Sequence, residues 1–157
     1  MKVMRFMSLA EFEKYQAGET LTNDTKHQAY TDAEGFCFLD ADDYTATEAY
    51  QFISGIVSTE ICAIFESEDI YKHGSGTYAD PYGSFFSTIS VEELCITEYS
   101  NKQLKLLKYC DDFADQYDGE TFKHLFKWKH PSTKPRRKIN VVDKSLPSRY
   151  RSKSLDP

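Results

Sequence analysis

Lys2-Val3-Met4-Arg5-Phe6-Met7-Ser8-Leu9-Ala10-Glu11-Phe12-Glu13-Lys14-Tyr15-Gln16-Ala17-Gly18 carries two periodicities in succession. Lys2 to Met7 is apolar apart from Arg5 and reads as an opening strand. Ser8 then begins the pattern Ser-x-x-Glu, a capping box in which Ser8 accepts a backbone N–H and Glu11 reaches back. The helix runs to about Ala17, and Gly18 ends it. Leu9, Phe12, Tyr15 and Gln16 follow helical spacing. A strand passing directly into a capped helix is the unit from which the rest of the chain is read.

Outward from this unit, Glu19 to Ala33 is polar and reads as a loop, holding His27 and Tyr30. Gly35 to Leu39 is a short buried strand, and Asp40 to Asp43 is an acidic turn. Thr45 to Ile56 reads as a second helix, with Ala46, Ala49, Phe52, Ile53 and Ile56 on one face and Gly55 weakening its last turn. Ile61 to Phe65 is apolar throughout, the pattern of an interior strand. Ser67 to Ser84 reads as a long irregular loop punctuated by Gly74, Gly76, Pro81 and Gly83, and loops of that length are commonly functional. Phe85 to Ile89 reads as a strand. Glu93 to Thr97 and Gln103 to Tyr109 read as a hairpin about Tyr99 to Lys102, with Leu104, Leu106 and Leu107 on the second arm. Asp111 to Trp128 is amphipathic through Phe113, Tyr117, Phe122, Leu125 and Phe126, interrupted at Gly119. Helices fall early and paired strands late. The order predicts a single α+β domain with a mixed or antiparallel split sheet rather than a doubly wound one.

Charge divides the chain. Through Phe122 it holds 8 Lys/Arg against 23 Asp/Glu, and beyond that 11 Lys/Arg against only Asp143 and Asp156. The expected division is a globular domain over 1–128 and a basic arm over 129–157. The arm contains Lys134-Pro135-Arg136-Arg137-Lys138, then Arg149, Tyr150, Arg151 and Lys153. Such an arm binds nucleic-acid phosphates, docks on the chain's own acidic body, or remains a solvated linker. No stretch approaches the ~20 apolar residues of a membrane span, and no apolar run of signal-peptide length follows Lys2 and Arg5. The expectation is a cytoplasmic protein with no membrane partner. Cys37, Cys62, Cys95 and Cys110 are widely spaced and form no CxxC. They read as reduced, buried thiols, and no metal site is expected from their spacing. No GxGxxG or Walker-type loop is present.

Three features carry candidate chemistry. Arg5 lies in an apolar strand, where a charge needs a partner or faces a cleft; the plainer alternative is an outward-facing residue. Tyr44-Thr45-Ala46-Thr47 opens the second helix, where hydroxyls and free N–H groups can meet an anion; the plainer alternative is N-capping by Thr45. Glu92 and Glu93 are adjacent on a strand, so at most one faces a given pocket.

This order of strand-borne Arg, hydroxyl-bearing segment and late strand-borne Glu resembles the ADP-ribosyltransferase fold family over about residues 2 to 109. Its marks would be Arg5 in Val-Met-Arg-Phe-Met-Ser, the segment Tyr44 to Thr47, and Glu93 in Val-Glu-Glu-Leu-Cys-Ile-Thr. Thr45-Ala46-Thr47 stands where the family carries Ser-Thr-Ser. Val91 stands where many protein-modifying members carry Glu or Gln. The resemblance implies NAD as cofactor and transfer of ADP-ribose to a macromolecular acceptor, or a degenerate relative that only binds NAD. Arg5 would hold the pyrophosphate or nicotinamide ribose. Tyr44, with Thr45 and Thr47, would line the cofactor site. Glu93 would accept the ribose 2′-OH and stabilise developing positive charge. Tyr78, Asp80 and Tyr82 in the long loop would contact the acceptor. The competing expectation is a non-catalytic, acidic, phage-type anti-defence inhibitor that binds a basic surface of a nucleic-acid-handling complex. Its contacts would come from Asp40, Asp42 and Asp43, or from Asp111, Asp112 and Asp115.

Overall fold

The computed structural model describes residues 1–25, 34–53, 58–80, 87–111 and 127–135. Residues 112–126 of the segment expected as an amphipathic helix and the arm beyond residue 135 lie outside the described residues, as do His27, Tyr30, Ile56 and Tyr82.

Chain order is β1 (Lys2–Met7), α1 (Leu9–Gln16), β2 (Leu21–Thr22), β3 (Phe36–Asp40), α2 (Ala46–Ile53), β4 (Ile61–Glu66), β5 (Lys72–Ala79), β6 (Thr88–Ile96), β7 (Glu98–Tyr99) and β8 (Lys105–Cys110). Six strands form an antiparallel sheet ordered β5-β6-β3-β1-β4-β8, and β2 pairs with β7 in a small second sheet. This is the α+β domain expected.

The sheet is covered on both sides, which explains why β4 shows no alternation of polar and apolar residues. Strand side chains alternate between faces. On one face Val3, Met7, Phe36, Phe38, Ala63 and Phe65 pack against Phe12 and Tyr15 of α1. On the other, Met4, Phe6, Leu39, Cys62 and Ile64 pack against Ala46, Ala49, Phe52 and Ile53 of α2. Four of the five residues expected on the buried face of α2 are therefore in the core. Of the α1 stripe, Phe12 and Tyr15 are buried, Leu9 is half-buried and Gln16 is exposed.

Three local expectations are corrected. First, the loop expected over Ser67 to Ser84 contains β5, which runs beside β6 from Lys72↔Cys95 to Ala79↔Thr88. Lys-His-Gly-Ser-Gly-Thr-Tyr-Ala has almost no apolar alternation because Gly74 and Gly76 occupy two of the inward positions of this edge strand, leaving Tyr78 as its buried ring. Second, β6 and β8 do not form a hairpin. β6 lies between β3 and β5, β8 pairs with β4, and the segment between them contributes β7 to the small sheet. Third, only half of the Ser8–Glu11 capping box forms. Ser8 Oγ accepts from the Glu11 N–H at 3.1 Å, but the Glu11 carboxylate turns to Arg5 instead.

Gly35 is required where the chain enters β3. Its φ is +89°, and a Cβ there would lie 2.3 Å from the Ile96 carbonyl oxygen. The first residues assigned to the basic arm are attached to the body. Lys129 bridges Tyr109 through both backbone groups, its Nζ reaches Asp111 Oδ2 at 2.8 Å, and the Tyr109 hydroxyl donates to the Thr133 carbonyl.

Candidate functional site

The β1–β3 ladder holds only the pairs Val3↔Asp40 and Met4↔Leu39. Beyond them Arg5 reaches across, and its Nη1 donates to the Cys37 carbonyl at 3.0 Å. Its Nε and Nη2 grip Glu11 at 2.6 and 2.8 Å, a two-point charge-assisted contact. The guanidinium also lies 5.0 Å from the centroid of Phe36 and 5.6 Å from that of Phe38. The Tyr99 hydroxyl adds a 2.6 Å bond to Glu11. Burial by itself favours the neutral form of each group, but mutual attraction outweighs it: the Arg5 pKa rises and the Glu11 pKa falls. Every directed contact of Arg5 is thus internal, on the α1 side.

Glu93 belongs to the other face. It shares strand parity with Val91, which packs beneath α2, whereas its neighbour Leu94 packs beneath α1. Glu93 is only 1 % exposed. The Tyr78 hydroxyl donates to its Oε1, and Cys37 Sγ lies 3.6 Å from its Oε2. The β5–β6 register explains how Tyr78 reaches it. Gly74 and Gly76 stand opposite Glu93 and Val91, so no β5 side chain intervenes between phenol and carboxylate. Cys37 and Cys95 face each other across β3 and β6 with their sulfurs 3.1 Å apart. The hydrogen bond to Cys95, then burial, then the Glu93 charge push the Cys37 thiol pKa up. Burial, followed by the contact with Glu93, pushes the Tyr78 phenol up as well.

Arg5 and Glu93 both border a cavity of about 100 Å³ at the β1–β3 split, together with Cys37, Leu39, Ile53 and Tyr78. They approach it from different sides, and each is already bonded within the protein. A cavity of this size is well below the roughly 300–1,000 Å³ of ordinary ligand pockets, so it does not take a dinucleotide.

Tyr44, Thr45 and Thr47 lie elsewhere, in an open groove of about 530 Å³ beside the start of α2. Lys2, Asp42, Lys108 and Trp128 also line it. Lys108 Nζ sits 4.6 Å from the Trp128 ring centroid. Thr45 caps α2: its Oγ1 accepts from the Glu48 N–H at 3.1 Å and donates to the Glu48 carboxylate at 2.9 Å. The plainer role weighed for Thr45 is therefore filled, and its side chain is committed to the helix.

The residues expected on the acceptor loop are also redistributed. Tyr78 is buried on β5 against Glu93 rather than displayed in a loop, and Asp80 is half-buried where its N–H donates to the Ser87 carbonyl at 3.0 Å. Of the acidic residues considered as partner contacts, Asp42 and Asp43 are exposed, Asp40 Oδ1 accepts the Asp42 N–H, and Asp111 is buried against Lys129.

Sequence reasoning missed Cys37 and Cys95, 58 residues apart. No short spacing could reveal them, and only the strand register brings them together. It also missed Glu11 as the partner of Arg5, although an Arg in an apolar strand signals that some partner exists.

The chain matches no known protein family, no curated protein and no solved structure. The resemblance drawn from Arg5, Tyr44 to Thr47 and Glu93 therefore stands on those residues alone.

Proposed function

We propose that this chain is a binding protein for an anionic ligand with an aromatic base, of the nucleotide class, received in the groove beside α2. One observation carries the reading: Tyr44, Thr47, Lys2, Lys108 and Trp128 border a single groove of about 530 Å³, within the size range of small-molecule sites. The two rings offer stacking surfaces for a base. Lys2 and Lys108 offer positive charge to a phosphate against the single carboxylate of Asp42. NAD, the expected cofactor, is the first ligand to test. Transfer chemistry is not part of the reading, because Arg5 and Glu93 lie outside the groove and are engaged with internal partners.

Trp128 is the chain's single tryptophan, so its fluorescence reports on the groove directly. Titration of the full chain with NAD and with a mononucleotide, followed by both heat and tryptophan emission, is the test. Saturable binding that weakens in Lys108→Glu and in Tyr44→Ala supports the reading. No heat and no change in emission at millimolar ligand overturns it.

A further inference from the structure

We propose that Cys37, Cys95 and Glu93 form a binding site for a thiolate-preferring divalent cation, of which zinc is the type. The site is independent of the α2 groove. Among the described residues, one set of three or more such groups brings its ligand atoms within 4.8 Å of one another, and it is this one. Its members come from two adjacent strands held in register by Cys37↔Cys95.

Three observations support the assignment. The first is charge. Glu93 is buried, and its hydrogen bonds come from a phenol and a thiol; no ion pair joins it to a cation among the described residues. A buried carboxylate without a counter-charge is costly, and a bound divalent cation supplies that charge. The second is geometry. Tetrahedral zinc with bonds of about 2.3 Å to sulfur sets its two sulfurs roughly 3.8 Å apart. The sulfurs here are 3.1 Å apart and the Cys37 sulfur is 3.6 Å from Glu93, so small side-chain rotations reach the bound arrangement. The third is the surrounding shell. The Tyr78 hydroxyl donates to one Glu93 oxygen and orients the other, and Arg5 fixes the Cys37 backbone through its carbonyl. The cavity of about 100 Å³ beside the cluster leaves room for water at a fourth position.

Donor chemistry decides the class of cation. Calcium and magnesium require shells of hard oxygen ligands, whereas two thiolates and a carboxylate suit zinc. Binding converts two thiols to thiolates, whose two protons are released to solvent. Cys62 and Cys110 form a built-in control. They also face each other across a strand pair, yet no carboxylate joins them in a comparable set among the described residues.

The test is titration of the reduced full chain with cobalt(II), which reports thiolate coordination by an intense sulfur-to-metal charge-transfer band. One equivalent is expected to produce that band, and zinc to displace it. Cys37→Ser and Cys95→Ser should each remove the band, while Cys62→Ser and Cys110→Ser retain it. Tyr78→Phe, which leaves all three ligands in place, should weaken affinity roughly 10–100-fold, as loss of a supporting hydrogen bond does at other metal sites. Circular dichroism of each variant separates loss of the site from loss of the fold. Absence of the band in the wild-type chain overturns the proposal. So does a band that survives in folded Cys37→Ser and Cys95→Ser, or one lost with Cys62 or Cys110. Formation of a Cys37–Cys95 disulfide in air by a chain that binds no cobalt would assign the pair to redox chemistry instead.

Discussion

Glu11, half-buried, and Glu93, buried, are two carboxylates on opposite sides of one sheet, and the groups that meet them differ. Glu11, on the α1 side, is gripped at two points by Arg5 and touched by Tyr99. Glu93, on the α2 side, has a phenol and a thiol. The first group is a completed ion pair with its own cation, which is the arrangement of a structural element. The second gathers polar and nucleophilic groups, with no ion pair to a cation among the described residues. A buried charge that the fold has already neutralised points to architecture, and one it has not points to a ligand.

The largest effect expected is on the α1 side. Arg5→Met leaves half-buried Glu11 without its partner and should cost about 3 kcal/mol, the low end of the range for breaking a buried pair from one end. Urea unfolding measures it. A cost under about 1 kcal/mol would mean that solvent already relieves Glu11, and the contrast between the two carboxylates would collapse.

Next in size is the difference between two like substitutions. Glu11→Gln strands Arg5 and should approach the same loss. Glu93→Gln, measured without metal, keeps an amide oxygen to accept from Tyr78 and removes an uncompensated buried charge, so it should be close to neutral or stabilising. Equal costs in the two variants would show that both carboxylates have the same structural role.

The pH profile separates the faces by sign. The Glu11 pKa is lowered in the fold, so the stability it contributes is present above its ordinary value of about 4.3 and is lost as pH falls through the folded value. The Cys37 and Cys62 pKa values are raised, by the Cys95 contact for the first and by burial for the second. Their contribution is fully present below about 8.5 and is lost as pH rises toward the folded values. Thermal unfolding should therefore show an acid limb weakened in Glu11→Gln and an alkaline limb weakened in Cys37→Ser. Tyr78 and Tyr99 are also raised, but phenols join this limb only above about pH 10. A Cys37→Ser profile that matches the wild type between about pH 8.5 and 10 would remove the thiols from the account.

Legibility in the sequence follows the same division between local and distant information. The unit β1–α1 and the buried stripe of α2 are readable because each is written in a local period with a capping or breaking residue beside it, and β4 because its run is apolar throughout. β5 was not. Its inward positions alternate with exposed ones, but two of them are Gly74 and Gly76, which read as loop punctuation when their use is to clear a path between Tyr78 and Glu93. Nearness in sequence does not make β6 and β8 a hairpin, because β3 pairs with the first and β4 with the second. At the sites, Arg5 and Glu93 are legible as strand-borne charges, and both border one small cavity, but their internal partners Glu11 and Tyr78 depend on strand order and register, which one residue type per strand cannot carry. Cys37 and Cys95 were invisible for the same reason.

The smallest effect tests the division at its local end. Ser8→Ala removes the oxygen that accepts the Glu11 N–H and should cost about 1 kcal/mol. In a full capping box the Glu11 side chain would share that function, and the costs of Ser8→Ala and Glu11→Gln would be strongly coupled. Here the Glu11 backbone serves the cap while its carboxylate serves Arg5. The double variant should therefore lose the sum of the two single costs, within about 0.5 kcal/mol. A coupling well above that would mean that the cap and the ion pair form one cooperative unit, and that the α1 face depends on the position of its helix as much as on its charge.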